Sequence, residues 1–182
     1  MSEGEAALVI PARITPGQLA ERIGKTITEV EGVLRARDQP DSTDDVLGGE
    51  TATEVAATLG VKVTVEPRDL ALERLYEYES RGELEADVGG RAGAIVEGVV
   101  SDLEELDGLI ESVSEHWSVA RMPVIDRNIL RIGLHELRAE PATPTAVVIA
   151  EGVRLAQTYS TEKSAAFVNG VLATLARTIR ES

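Results

Sequence analysis

Two histidines, His116 and His135, and no cysteine are all this 182-residue chain offers in the way of imidazole or thiolate chemistry. His135 and Glu136 are neighbours on a helical stretch, about 100° apart around its axis, so they do not converge on one metal as an i, i+4 pair does. Both histidines read as ordinary surface or boundary residues. No Walker loop, dinucleotide-type glycine loop, GxSxG elbow or HExxH pair occurs. The expectation is therefore a protein that is not an enzyme and uses no cofactor or metal. What remains is charge. Arg127, Arg131 and His135 follow one another at i, i+4 and i+8, a basic stripe along one helix face. That stripe is either a phosphate track or a set of cations with interior acidic partners, because a guanidinium beside so much apolar surface needs one.

The element carrying the stripe starts around Pro123 and runs through Val124, Ile125, Ile129, Leu130, Ile132, Leu134 and Leu137, apolar on most of its circumference and so expected to be central. Around it, Leu72, Leu75 and Tyr76 mark one amphipathic helix. Val96, Val99, Leu103, Leu106, Ile110 and Val113 alternate by three and four, which predicts a single helix of about 18 residues or more. Glycines in the stretch from Arg81 to Arg91 predict a loop. Pro141 and Pro144 mark another, followed by a helix through Val148, Glu151 and Leu155 and a last one through Phe167, Val168, Val171, Leu175 and Ile179.

The first third is different. Residues 6 to 14 and 61 to 65 are β-branched runs with strand character, expected to pair as a short two-stranded ribbon. Between them, Thr15-Pro16-Gly17-Gln18, Thr26-Ile27-Thr28-Glu29 and Thr51-Ala52-Thr53-Glu54 each place a Thr hydroxyl to cap a free amide and a Gln or Glu to reach back. Three short helices are predicted, with Gly24 and Gly60 as left-handed stops. The acidic stretch from Asp38 to Asp45 reads as an exposed loop. The expected fold is mostly α. A small helical module with its ribbon fills residues 1–66, an all-helical domain fills 67–182, and Glu66-Pro67 is the junction.

Acidic residues outnumber basic ones by 32 to 18, for a formal charge of −14, divided between six basic and twelve acidic residues before Pro67 and twelve and twenty from it onward. Such a chain repels polyanions at long range, so it disfavours free-standing nucleic-acid binding and favours a basic protein partner. The absence of cysteine excludes a disulfide scaffold or an iron–sulfur cluster and fits a reducing cytoplasm. No apolar run approaches the roughly 20 residues of a membrane span, and Met-Ser-Glu-Gly-Glu does not begin a signal peptide. A cytoplasmic protein with no membrane partner is expected.

The segments His116-Trp117-Ser118-Val119-Ala120-Arg121-Met122-Pro123, Val124-Ile125-Asp126-Arg127-Asn128-Ile129-Leu130-Arg131-Ile132, Leu134-His135-Glu136-Leu137, Ile149-Ala150-Glu151-Gly152-Val153 and Thr161-Glu162-Lys163-Ser164-Ala165-Ala166-Phe167-Val168-Asn169-Gly170-Val171-Leu172 resemble the NusB family in order and spacing. Arg68-Asp69-Leu70-Ala71-Leu72-Glu73-Arg74-Leu75-Tyr76 is similar to that family's first helix. Ile14-Thr15-Pro16-Gly17-Gln18-Leu19-Ala20 and Ala56-Ala57-Thr58-Leu59-Gly60, with shorter matches between, resemble the small N-terminal module of bacterial translation initiation factor 2, without its GTPase parts.

The resemblance to the NusB family implies an all-helical double bundle that pairs with the ribosomal small-subunit protein NusE. It further implies binding of boxA-type RNA in ribosomal RNA transcripts, within the RNA polymerase antitermination complex. Carried over, the family's RNA surface falls on Arg68, Tyr76, Asp126, Lys163 and Phe167, and its structural ion pair on Arg131 and Glu151. The chain departs from the family where several arginines should precede Arg68, for it has Thr64-Val65-Glu66-Pro67 instead, and Ala150 stands where the family has Asn. A ribosomal RNA methyltransferase, in which such domains also occur, would need a further domain after Leu172. A protein-protein adapter that keeps the fold and has lost autonomous RNA binding is the alternative.

Overall fold

The computed structural model describes residues 7–42, 44–82, 89–114 and 117–180, so His116, residues 1–6 and most of the loop expected from Arg81 to Arg91 lie outside the described residues. The chain divides into two compact units between Leu70 and Ala71. That division falls about one helical turn after Glu66-Pro67.

In the first unit β1 (Leu8–Ile10) pairs in parallel with β4 (Val63–Val65), Leu8 opposite Val63 and Ile10 opposite Val65. The expected ribbon is present, but it uses only part of residues 6 to 14. Pro11, which has no N–H to give a ladder, separates β1 from β2 (Arg13–Ile14), and β2 pairs antiparallel with β3 (Leu47–Gly48). That second pair has no sequence signal, since two residues beside an acidic loop show no alternation.

Two of the three capping signatures form as read. Thr15 caps α1 (Pro16–Ile23) with Gln18 reaching back, and Thr26 caps α2 (Ile27–Ala36) with Glu29 reaching back at 2.8 Å. The third does not. Helix α3 (Gly49–Thr58) starts two residues before Thr51 with Gly48 as its cap, because the β2–β3 pairing ends the extended chain there. The Thr53 hydroxyl instead donates to the Gly49 carbonyl at 2.7 Å. Gly24 and Gly60 both take the left-handed conformation. Ile10, Ile14, Leu19, Val30, Leu34, Leu47 and Val55 form this unit's own core.

Helix α4 (Pro67–Arg81) buries Ala71, Leu72 and Leu75 in the second core. The single helix expected over 96–113 is two, α5 (Gly90–Ser101) and α6 (Leu103–Val113), because the chain leaves helical geometry at Asp102. The three-and-four alternation survives the break since both helices pack on the same core, where Val96, Val99, Leu106 and Ile110 are buried. A 3-10 turn (Val119–Arg121) leads into α7 (Val124–Ala139), which is the central element expected, with Ile129, Leu130, Ile132, Leu134 and Leu137 buried.

α7 packs on α8 (Thr145–Tyr159) and α9 (Glu162–Arg180). Leu172 of α9 lies where a β-carbon on Gly133 or Gly152 would be, 2.8 and 2.6 Å from its methyl carbons, so close approach requires glycine on both facing helices. The carbonyls at the end of α7 are taken by the Arg180 guanidinium, which donates to Leu137 at 3.1 Å and to Glu140 at 3.0 Å. Among the described residues no helix is long and apolar enough to cross a membrane.

Candidate nucleic-acid interface

The start of α4 shows what stands where the family's arginines are missing. Pro67 opens the helix where its lack of an N–H is harmless, and the Glu66 carboxylate accepts from the amides of Arg68 at 2.7 Å and Asp69 at 3.1 Å, a side-chain cap. Burial and the nearby Asp69 carboxyl push the Glu66 carboxyl above its ordinary range. Arg68 is only 6% exposed and its guanidinium donates to Glu66 at 3.3 Å. The residue carried over as part of the RNA surface thus serves the helix start, and its charge is not presented to solvent.

Tyr76, two turns on, is 46% exposed although Leu75 beside it is buried. One further turn along, Glu79 accepts from Arg127 Nε at 2.8 Å and is also paired with Arg131. Burial opposes ionisation of Glu79, but hydrogen bonds from Arg127 and the charges of both arginines outweigh it and hold its carboxyl below the usual range. Arg131 grips Asp107 of α6 with two parallel bonds of 2.7 and 2.8 Å and reaches the Asn128 amide oxygen at 2.9 Å. Its burial is offset by Asp107 and Glu79, which keep it firmly protonated.

The expected Arg131–Glu151 pair is therefore corrected: Arg131 holds Glu79 and Asp107, while Glu151 pairs with Arg154 one turn along α8 at 2.9 Å. Local spacing supplies Arg154 to Glu151 at i+3, whereas the partners of Arg131 are 24 and 52 positions away, which no periodicity reveals. His135, the third member of the stripe, is half-buried against α5. A β-carbon at Gly98 would lie 2.0 Å from its Cε1. Burial lowers the imidazole's affinity for a proton against the pull of Asp102, Glu140 and Glu136. The stripe is turned inward on α4, α5 and α6 and is not a phosphate track.

Asp126 is 4% exposed and accepts from the hydroxyls of Ser164, at 2.8 Å, and Ser160. It does not face solvent, as a residue of an RNA surface would. It ties the first turn of α7 to the start of α9. Lys163, in that same first turn of α9, is exposed, and Phe167 one turn later is half-buried against the core. Adjacent residues of α7 thus hold two different helices: Asp126 holds α9, which carries Lys163 and Phe167, and Arg127 holds α4, which carries Tyr76.

Most cations of the second unit are spent on acids within it. Arg74 pairs with Glu77, Arg91 with Glu136 and Glu140, Arg138 with Glu105. Lys163 is not among those pairs. Sequence reasoning missed Glu79 and Asp107, and it did not single out Trp117 as accessible, although the ring is 54% exposed. Among the described residues no group of three or more His, Asp or Glu side chains is arranged to hold a metal.

The sequence pattern of the NusB family matches residues 52–177. The transcription antitermination protein NusB of Acidothermus cellulolyticus is 44% identical over 118 residues, spanning 58% of this chain and 81% of that protein. The protein of the same name from Sorangium cellulosum is 40% identical over 126 residues, 62% of this chain and 90% of its own. A solved structure of T. maritima NusB superposes with a TM-score of 0.56 at 31% identity, covering 61% of this chain and 88% of that one. A chain from a crystal structure of antitermination factors NusB and NusE in complex with dsRNA gives a TM-score of 0.52 at 29% identity, over 62% and 94% respectively.

Proposed function

The chain belongs to the NusB family, and on that premise we propose that it is a transcription antitermination factor rather than an enzyme, binding boxA-type RNA of ribosomal RNA transcripts together with NusE. The observation that carries the RNA reading is a pair of exposed groups on helices that are both fastened to the first turn of α7, the Tyr76 ring on α4 and the Lys163 ammonium on α9. An exposed ring stacks on a single-stranded base and an ammonium meets phosphate. Phe167 adds apolar surface beside Lys163. Arg68 and Asp126 support the geometry from inside.

So few free cations neutralise few phosphates, which gives weak binding with a shallow salt dependence. A basic partner such as NusE supplies the missing charge and associates readily with a chain of −14. In this reading the heterodimer is what joins the RNA polymerase antitermination complex in the cytoplasm. Residues 1–66 are a separate module similar to the N-terminal module of bacterial translation initiation factor 2, a reading supported by its two capping boxes and its own core. The engagement of Arg127 and Arg131 by acids favours the second reading, an adapter without RNA binding of its own.

A gel-shift titration of boxA-type RNA separates the two. Binding by the mixture with NusE, weak or absent for the chain alone, and lost on Lys163→Glu is the expected result. A chain that forms the complex with NusE while the complex ignores boxA-type RNA would leave the adapter reading in its place.

A further inference from the structure

The buried apolar anchor of α4 ends at Leu75. From Tyr76 to Arg81 every side chain is exposed or partly exposed, so no buried apolar side chain holds this last turn and a half of the helix in place. The side chain fastened to α7 in that stretch is Glu79. Both its oxygens are engaged, Oε1 by Arg127 Nε at 3.1 Å and by Arg131, Oε2 by Arg127 Nε at 2.8 Å and by the Arg127 terminal nitrogen. Arg127 is itself fixed by a bond to the Met122 carbonyl at 3.2 Å, and Arg131 by its two bonds to Asp107. The carboxylate is therefore held by two guanidinium groups that have little freedom of their own. Because Tyr76 and Glu79 are three residues apart on one helix, fastening Glu79 to α7 keeps the turn that carries the ring helical and docked.

We propose that Glu79 is a positioning residue that presents the Tyr76 ring to RNA, and that Arg127 and Arg131 influence RNA binding through Glu79 rather than by touching phosphate. This rests on the RNA-binding reading above. The acid acts through the ring, so removing its charge matters only while the ring is there to be aimed.

The test is a double-mutant cycle on the full chain, mixed with NusE and titrated with boxA-type single-stranded RNA. Tyr76→Ala and Glu79→Gln each weaken binding by about tenfold, the range expected for losing one base-stacking contact. The double variant is no weaker than Tyr76→Ala by more than about twofold, since contacts that act as a unit are not additive. Glu136→Gln loosens a different interior ion pair, that of Arg91 on α5 with α7, and it lowers the melting temperature while leaving RNA affinity within about twofold. Additive losses in the cycle would overturn the proposal, as would a Glu136→Gln loss as large as that of Glu79→Gln, because the effect would then be general loosening. A Tyr76→Ala variant that binds like wild type also overturns it. Failure of the wild-type mixture to bind the RNA removes the RNA reading itself, and the proposal with it.

Discussion

In the first unit, apart from the Arg68–Glu66 pair at the start of α4, the ion pairs among the described residues stand in solvent. Arg35 reaches Asp41 at 2.7 Å with 71% of its side chain exposed, and Arg37 pairs with Glu54 at the surface of α3. In the second unit the guanidinium of Arg131 is nearly buried and joins acids from α4 and α6 to α7, while Arg91 reaches the buried Glu136 at 2.6 Å. Both units carry an excess of acid, yet the interior pair of the first links residues two apart, while those of the second fasten separate helices to one another. Exposed pairs contribute about 0–1 kcal/mol, because water already solvates both partners and two long side chains lose freedom. Interior pairs decide which helix faces which, since a charge removed from water has to find its counter-charge. The first unit is accordingly an apolar core closed by capped helices, and the second is an apolar core whose outer helices are set by ions.

Arg131→Ala is the change that should separate the two most. It leaves Glu79 and Asp107 without their partner inside the second unit, and a loss of about 4 kcal/mol is expected in denaturant unfolding, with hydrogen exchange rising first over α4 and α6. The same network has an acid limit. The Glu79 carboxyl is held below its unfolded-state value, so its stabilisation is fully present above that value and is lost as pH falls through the lower, folded one. Stability followed from pH 7 down to pH 3 should fall less steeply in Glu79→Gln than in wild type. An identical slope would mean that Glu79 is not the titrating fastener.

Leu34→Ala makes the complementary break. Leu34 is fully buried in the first core, and the cavity should remove about 3 kcal/mol from that unit. Amide protection over α7 should be unchanged, if the units are independent as the separate cores imply. Spreading of the effect into α7 would show one cooperative block.

Gly98→Ala tests the close approach of α5 to α7. The new methyl would overlap the His135 ring, for a loss of about 2 kcal/mol that His135→Ala in the same chain should largely restore. The smallest effect belongs to Arg37→Ala. An exposed pair is broken there, and a melt should register about 0.5 kcal/mol or less.

Local chemistry made α1 and α2 legible, because Thr15 with Gln18 and Thr26 with Glu29 satisfy free amides within a single turn and need no distant partner. Thr51 with Glu54 offered the same pattern and was overridden, since pairing of β3 with β2 starts α3 at Gly49. The heptad-like run from Val96 to Val113 correctly named the buried face and concealed the break at Asp102, because the packing surface is continuous where the backbone is not. At the candidate site, the resemblance singled out Tyr76, Lys163 and Phe167 as residues, but exposure separates them from Arg68 and Asp126, and exposure is a property of the packed chain.

Helix content, the central place of α7, the family and the acidic character were determined by the sequence alone, since each depends on residue type and on spacing within a few turns. Tertiary structure alone decided the partners of charge. A guanidinium bonds whichever carboxylate the fold brings within about 3 Å, and a chain with 32 acids gives Arg131 many candidates at every sequence separation. Only the packing of α4 and α6 onto α7 selected Glu79 and Asp107, left Glu151 to its neighbour Arg154, and turned a basic stripe that could have met phosphate into the fastening of the second unit.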